Sequence, residues 1–105
     1  MTLWMNVEEA REFLLKNGFV YTLRPKVRKV GGIEALMWGK QGKRGEVIAT
    51  FLGEIKQDCY DCLLDFFLYG SGFESVDQWK NKANGSRFLY QVKLRRLLIS
   101  TPEPS

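Results

Sequence analysis

The segment Glu46-Val-Ile-Ala-Thr-Phe-Leu-Gly53 decides the fold that we expect for this chain. In a β-strand, side chains two residues apart point to the same face. One face would therefore carry Val47, Ala49 and Phe51, and the other would carry Ile48, Thr50 and Leu52. Because both sets are largely apolar, the pattern predicts a strand in the centre of a sheet.

Three further strands are predicted outward from this segment. Phe19–Arg24 is rich in β-formers and stops at Pro25, which cannot donate a hydrogen bond to a sheet. Residues 33–38 predict a short strand, and residues 87–99 alternate between apolar and polar side chains. Between the first two strands, residues 26–32 are expected to form a basic loop or an irregular edge.

Two of the three predicted helices carry clear end signals. The first spans about residues 7–16, with Asn6 as its cap. Another opens on a capping box formed by Ser75 and Gln78 and ends at Asn84-Gly85. Its inward-facing residues are Val76, Trp79 and Ala83.

The remaining helix, predicted over residues 58–69 and capped by Asp58, contains both cysteines of the chain. Its buried stripe is expected to comprise Cys59, Cys62, Leu63, Phe66 and Phe67. A zinc site needs four ligands, and the chain offers one cysteine pair and no histidine. A redox dithiol is favoured by cationic surroundings, whereas the neighbours here are acidic. We therefore expect buried structural thiols, no bound metal and no cofactor.

The predicted order α, β, β, β, α, α, β indicates an α+β fold. Its small mixed β-sheet is expected to curl toward a barrel flanked by three helices. A doubly wound fold needs more regular alternation and ranks second. We expect one domain over residues 1–99 and a disordered tail over residues 100–105. With no apolar run of membrane length and no leader-like start, the expected location is the cytoplasm, without membrane contact.

Charge is sorted into blocks along the chain. Residues 24–44 hold seven basic residues and one acid, residues 45–77 hold seven acids and one lysine, and residues 78–99 hold six basic residues and no acid. If the two basic blocks fold onto one face, they form a footprint for a polyanion such as nucleic acid. If they interleave with the acidic block, the pattern is only a well-solvated surface.

Two local patterns could carry such a footprint. The glycine-rich connection 39–45 can present backbone N–H groups and cationic side chains to phosphate, or it can be a solvated hairpin. On the strand Phe19–Arg24, Thr22 and Arg24 point the same way and can form a small polar pocket. The alternative is an edge strand with one polar face. The absence of histidine lowers the expectation of an enzyme.

The segment Gly18-Phe-Val-Tyr-Thr-Leu-Arg24 resembles the Gly-x-Lys-x-x-x-x-Arg pattern of the ASCH domain family, a branch of the PUA-like fold. Residues 72–79, Gly-Phe-Glu-Ser-Val-Asp-Gln-Trp, resemble its late Gly-Phe-x-Ser helix, and residues 88–94 resemble its closing strand. The resemblance implies a PUA-like pseudo-barrel, a cleft for RNA or a nucleobase-like ligand, and a link to RNA metabolism.

Some members of that family are amidohydrolases that act on acylated cytidine through Lys, Thr and Glu. The resemblance places Thr22 at the Thr position and Phe19 at the Lys position, and the Gly-to-Arg spacing is one residue short. The acid would be Glu54 or Glu46. Because a hydroxyl without a nearby Lys lacks its activating base, this departure favours binding over hydrolysis.

The sequence therefore predicts a non-catalytic RNA-binding module, with the hydrolase as an alternative. A second alternative is an interaction protein whose acidic block meets a basic partner or another copy, which includes a homodimer. Base stacking would fall to Tyr21 or Trp38. The full set of expected nucleic-acid-binding residues is Tyr21, Thr22, Arg24, Lys26, Arg28, Lys29, Trp38, Lys40, Lys43, Arg44, Lys93 and Arg95.

Overall fold

The computed structural model describes residues 2–5, 7–27, 32–39 and 43–97 of the chain. Within these residues lie five strands and three α-helices. The strands are β1 (Thr2–Trp4), β2 (Phe19–Arg24), β3 (Ile33–Met37), β4 (Lys43–Glu54) and β5 (Phe88–Leu97). The helices are α1 (Glu8–Asn17), α2 (Tyr60–Phe67) and α3 (Val76–Ala83), and 3₁₀ turns span Gln57–Cys59 and Leu68–Gly70.

The strands form one mixed sheet in the order β1-β3-β4-β5-β2. Strand β1 runs parallel to β3, and the other neighbouring pairs are antiparallel. The sheet curls into a half-barrel whose two edge strands are β1 and β2. The predicted α+β class, the curled mixed sheet and the three helices are confirmed, and so is the central position of residues 46–53.

Helix α1 covers the inner face of the curled sheet. Its Ala10 and Leu14 pack with Val20, Ala49 and Val92, which lie in one row across β2, β5 and β4. The helix ends at Gly18, which adopts a left-handed conformation (φ 85°) and donates its N–H to the carbonyl oxygen of Leu14. This cap turns the chain directly into β2.

Helices α2 and α3 cover the outer face beside β2 and β5. Leu64 of α2 and Trp79 of α3 pack there with Leu23 and Leu89. The predicted cap of α3 is confirmed, because the Oγ of Ser75 accepts a hydrogen bond from the backbone N–H three residues later. Helix α3 therefore presents Trp79 to the outer core as its sequence predicts.

The outer face of β4 is more open than its sequence suggests. Ile48 and Leu52 are exposed, because the outer core forms beside β2 and β5 and leaves this part of β4 uncovered among the described residues. The strand also begins earlier than predicted, since Lys43–Gly45 belong to β4 rather than to a connection. Gly45 pairs with Leu97, and its lack of a side chain allows the close approach of the Arg96 carbonyl oxygen.

The buried stripe predicted for the second helix is partly wrong. Leu63 and Phe67 pack against the outer core, but the other three predicted members are not buried. A 3₁₀ turn at Gln57–Cys59 precedes α2, and the tighter turn shifts the phase of the helix. Tyr60 and Leu64 are buried, whereas Cys62 and Phe66 are exposed and Cys59 is half-buried. Asp58 lies inside the 3₁₀ turn and does not cap α2. The expected burial of both thiols is therefore corrected.

Several other expectations concern the chain ends. Helix α1 begins at Glu8 after Val7, which provides no side-chain cap, and the predicted cap Asn6 lies outside the described residues. The predicted tail 100–105 also lies outside them. Strand β1 was not predicted.

None of the helices in the described part of the chain has the length and apolar character needed to cross a bilayer.

Candidate nucleic-acid interface

A cavity of about 240 Å³ lies where the two edges of the half-barrel approach each other. One side is formed by β1 and the residues that follow it, and the other side is formed by β2. We call it the seam cavity. Its lining residues are Trp4, Met5, Val7, Thr22, Leu23 and Arg24. The structure thus brings together the two residues of the predicted polar pocket, Thr22 and Arg24.

Each wall of the seam cavity supplies a different kind of contact. Trp4 presents a large aromatic ring that is 46% exposed. From the opposite wall, half-buried Thr22 offers a hydroxyl and half-buried Arg24 offers a guanidinium. An indole can stack on a planar ring, while the hydroxyl and the guanidinium can hydrogen-bond to its polar edge.

Aromatic residues of β5 and β4 support the wall formed by β2. Thr22 lies opposite Tyr90, which in turn lies opposite Phe51. The ring centroids of Tyr90 and Phe51 are 5.2 Å apart. The Tyr90 hydroxyl donates a long hydrogen bond (3.4 Å) to the carbonyl oxygen of Lys26. This contact ties the chain beyond β2 back to the sheet, so that Lys26 follows Arg24 at the same end of the molecule.

The two carboxylates considered for a hydrolase, Glu54 and Glu46, lie toward opposite ends of β4. Glu54 shares a row with Phe88 and Arg24, but β5 lies between its strand and β2, and its carboxylate is 3.8 Å from Arg87. Glu46 lies near the opposite end of β4, where Arg96 is its partner on β5. Neither carboxylate lines the seam cavity. The structure therefore places neither of these two carboxylates beside Thr22.

The expected phosphate-binding residues fall into two groups. Arg24 and Lys26 lie at the end of β2, whereas Lys43, Arg44, Lys93 and Arg95 lie toward the other end of β4 and β5. Arg24 pairs with Phe88, which lies five residues before Lys93 and eight before Arg96, so the two groups are roughly 16–26 Å apart along β5. Arg28, Lys29 and Lys40 lie outside the described residues.

Two members of the second group, Lys43 and Arg95, surround an acid together with Arg96. The Glu46 carboxylate accepts hydrogen bonds from Arg95 and Arg96, each at 3.1 Å, and from Lys43 at 3.2 Å. The side chain of Glu46 is only 13% exposed. Acidic and basic blocks therefore interleave here, and part of the positive charge is already compensated within the molecule.

The two aromatic residues expected to stack on bases have other partners. Tyr21 packs edge-on against Phe67, with ring centroids 4.8 Å apart, and against Phe19, at 5.8 Å. The guanidinium groups of Arg11 and Arg44 lie 5.5 Å and 5.2 Å from the ring centroid of Trp38. The exposed ring beside Thr22 and Arg24 is that of Trp4, a residue the sequence analysis missed.

The hydrogen bond from Lys43 lowers the pKa of Glu46, and that from Arg96 acts in the same direction, while desolvation opposes both. The unfolded chain then binds a proton on this carboxylate more readily than the folded chain does. The stabilisation is complete above the unfolded pKa of about 4.3 and is lost as pH falls through the lower folded pKa. We therefore expect the free energy of unfolding to decrease in acid.

Urea unfolding at neutral and acidic pH, with wild type and Glu46→Gln, checks this expectation. The substitution should weaken the pH dependence, because the titrating group is gone. Glu12→Gln, on the exposed side of α1, serves as the control and should leave the pH dependence of unfolding unchanged. The same pH dependence in Glu46→Gln and wild type would contradict the assignment.

Comparison of the chain with protein-family models, with curated proteins and with solved structures finds no match. Within the described residues, no group of three or more His, Cys, Asp or Glu side chains is arranged to hold a metal ion.

Proposed function

We propose that this chain is an RNA-binding module of the ASCH type, with a PUA-like half-barrel, that holds a nucleobase in the seam cavity. The observation that carries the proposal is the convergence of Trp4, Thr22 and Arg24 on one cavity between the two edge strands. An aromatic platform beside hydrogen-bonding groups is the arrangement that recognises unstacked bases in single-stranded RNA.

The size of the cavity narrows the class of ligand. Sites for drug-sized molecules usually measure about 300–1,000 Å³. The seam cavity, at about 240 Å³, lies below that range and suits one planar base with its sugar and phosphates outside. A base flipped out of a single strand would leave its backbone along the rim of the cavity.

Cationic side chains lie where that backbone would run. Arg24 lines the cavity, and exposed Lys26 follows it in the chain. The sequence continues with Arg28 and Lys29, which belong to the same basic block. These side chains can neutralise phosphates, and counterion release then contributes to affinity.

The salt dependence of RNA affinity tests the phosphate contacts. For single strands, each phosphate contact contributes about 0.7 to the slope of log affinity against log salt. Lys26→Gln should lower this slope by roughly that amount and weaken binding to all sequences alike. Fluorescence anisotropy with a labelled oligonucleotide measures both quantities.

The control is Lys56→Gln, which removes an exposed lysine from the acidic block and should leave the slope unchanged. Binding that is insensitive to salt would contradict the proposal. Turnover of acylated cytidine by wild type, lost in Thr22→Val, would instead support the hydrolase alternative.

A further inference from the structure

The solvent side of α2 combines exposed aromatic rings with carboxylates. Phe66 is 77% exposed, and Tyr69, in the turn after the helix, is 82% exposed. Both rings are supported from beneath, since Phe66 packs on Phe67 and Tyr69 packs on Phe13, with centroids 5.0 Å and 6.1 Å apart. We call this surface the acidic–aromatic face; its carboxylates are those of Asp58, Asp61 and Asp65, of which Asp61 already pairs with Lys80 of α3 at 2.9 Å.

The outer face of β3 and β4 has a complementary character. Ile33 and Ile48 lie opposite each other on the two strands, and both are exposed. Lys93 of β5 lies beside Ile48 in the same row, and Arg95 follows it along β5; both are exposed. This open sheet face, defined by these four residues, is apolar in its centre and cationic along its β5 border.

Apart from Tyr69, which packs on α1, the two faces lie on the same side of the sheet. Helices α2 and α3 form a layer over β2 and β5. The neighbouring strands β3 and β4 carry the open sheet face. A twofold axis on this side can place helices α2 and α3 of each copy over the open sheet face of the other. Closed twofold dimers are the commonest symmetric assembly of soluble proteins.

We propose that two copies of this chain form such a dimer, in which each acidic–aromatic face packs on the partner's open sheet face. Phe66 covers the exposed isoleucines. The carboxylates of Asp58 and Asp65 meet Lys93, so opposite charges and apolar surfaces match in the same contact. Contiguous exposed apolar surface rimmed by charge marks an interaction site of this kind.

Sedimentation of the RNA-free protein tests the dimer and does not depend on the seam cavity. Wild type should sediment with about twice the chain mass of 12.2 kDa, and raised salt should shift it toward the monomer. Asp65→Lys and Lys93→Glu should each give monomers, because each places like charges together at both contacts. An equimolar mixture of the two variants should recover the dimer, since both contacts of the mixed dimer then pair opposite charges.

Glu8→Lys is the matched control, because it makes the same charge change in the exposed first turn of α1. It should remain dimeric. Wild type that stays monomeric at about 100 µM, where a dimer with micromolar Kd would be saturated, overturns the proposal. A dimer that survives both charge reversals also overturns it, because association would then use another surface.

Alkylation of Cys62 gives a second readout that needs no substitution. This exposed thiol lies on α2 between Asp61 and Asp65, so dimerisation should cover it. Its labelling rate should fall as protein concentration rises through the dimer transition, and mass spectrometry can measure it. A rate that is independent of concentration while the mass doubles would place the contact elsewhere.

Discussion

Replacing Trp4 with alanine is expected to weaken the binding of single-stranded RNA by about 1–3 kcal/mol, on the order of tenfold to a hundredfold in Kd. The indole forms one wall of the seam cavity and is the stacking platform that the proposal requires. Trp4→Phe keeps an aromatic ring and should lose less RNA affinity than Trp4→Ala. Anisotropy titrations at one fixed salt concentration measure both variants.

Leu97→Ala is the matched control for this experiment. Leu97 is 45% exposed, close to the 46% of Trp4, but it lies at the far end of β5. Its removal tests whether loss of any exposed apolar side chain reduces affinity. Equal losses in Trp4→Ala and Leu97→Ala, or no loss in either, would refute the role of the seam cavity.

The strands and caps of this fold could be predicted because their signals are local. The bounds of β2, Phe19–Arg24, follow from a run of β-formers that ends at a proline. The start of α3 follows from Ser75, whose hydroxyl can satisfy a backbone N–H within its own turn. Such choices depend on residues within one turn, and the surrounding structure leaves them unchanged.

The features that could not be predicted depend on distant contacts. Strand β1 has only three residues and exists because it pairs in parallel with β3, about thirty residues later in the chain. Nothing in the sequence around Trp4 therefore signals its place on the cavity wall. The phase of α2 was missed for a related reason, because the 3₁₀ turn before it changes which side of the helix is buried.

The candidate site divides in the same way. Thr22 and Arg24 were identified together because they lie two apart on one strand, and that spacing alone gives them one face. Whether remote lysines and arginines join them depends on the register of β4 and β5. The register places Lys43 and Arg95 at Glu46 instead. Charge blocks along the sequence therefore did not reveal which charges meet in space.

Gly72→Ala is expected to reduce the free energy of unfolding by about 2–5 kcal/mol, the largest loss that we expect from a single methyl group. Gly72 has a φ of 88°, and a side chain in this left-handed region costs about 1–2 kcal/mol. A Cβ at this position would also overlap the carbonyl oxygen of Glu9 in α1. Overpacking of this kind adds about 1–3 kcal/mol.

Gly85→Ala separates the two contributions to this loss. Gly85 has nearly the same φ, 84°, but a Cβ there would meet no atom within 4 Å, so its variant should lose only the conformational part. Urea unfolding of both variants measures the difference, which equals the cost of the contact with α1. Equal losses would mean that the turn at Gly72 is free to move away from α1. A larger loss at Gly72 shows that α1, which also packs on β2, is fixed by this contact.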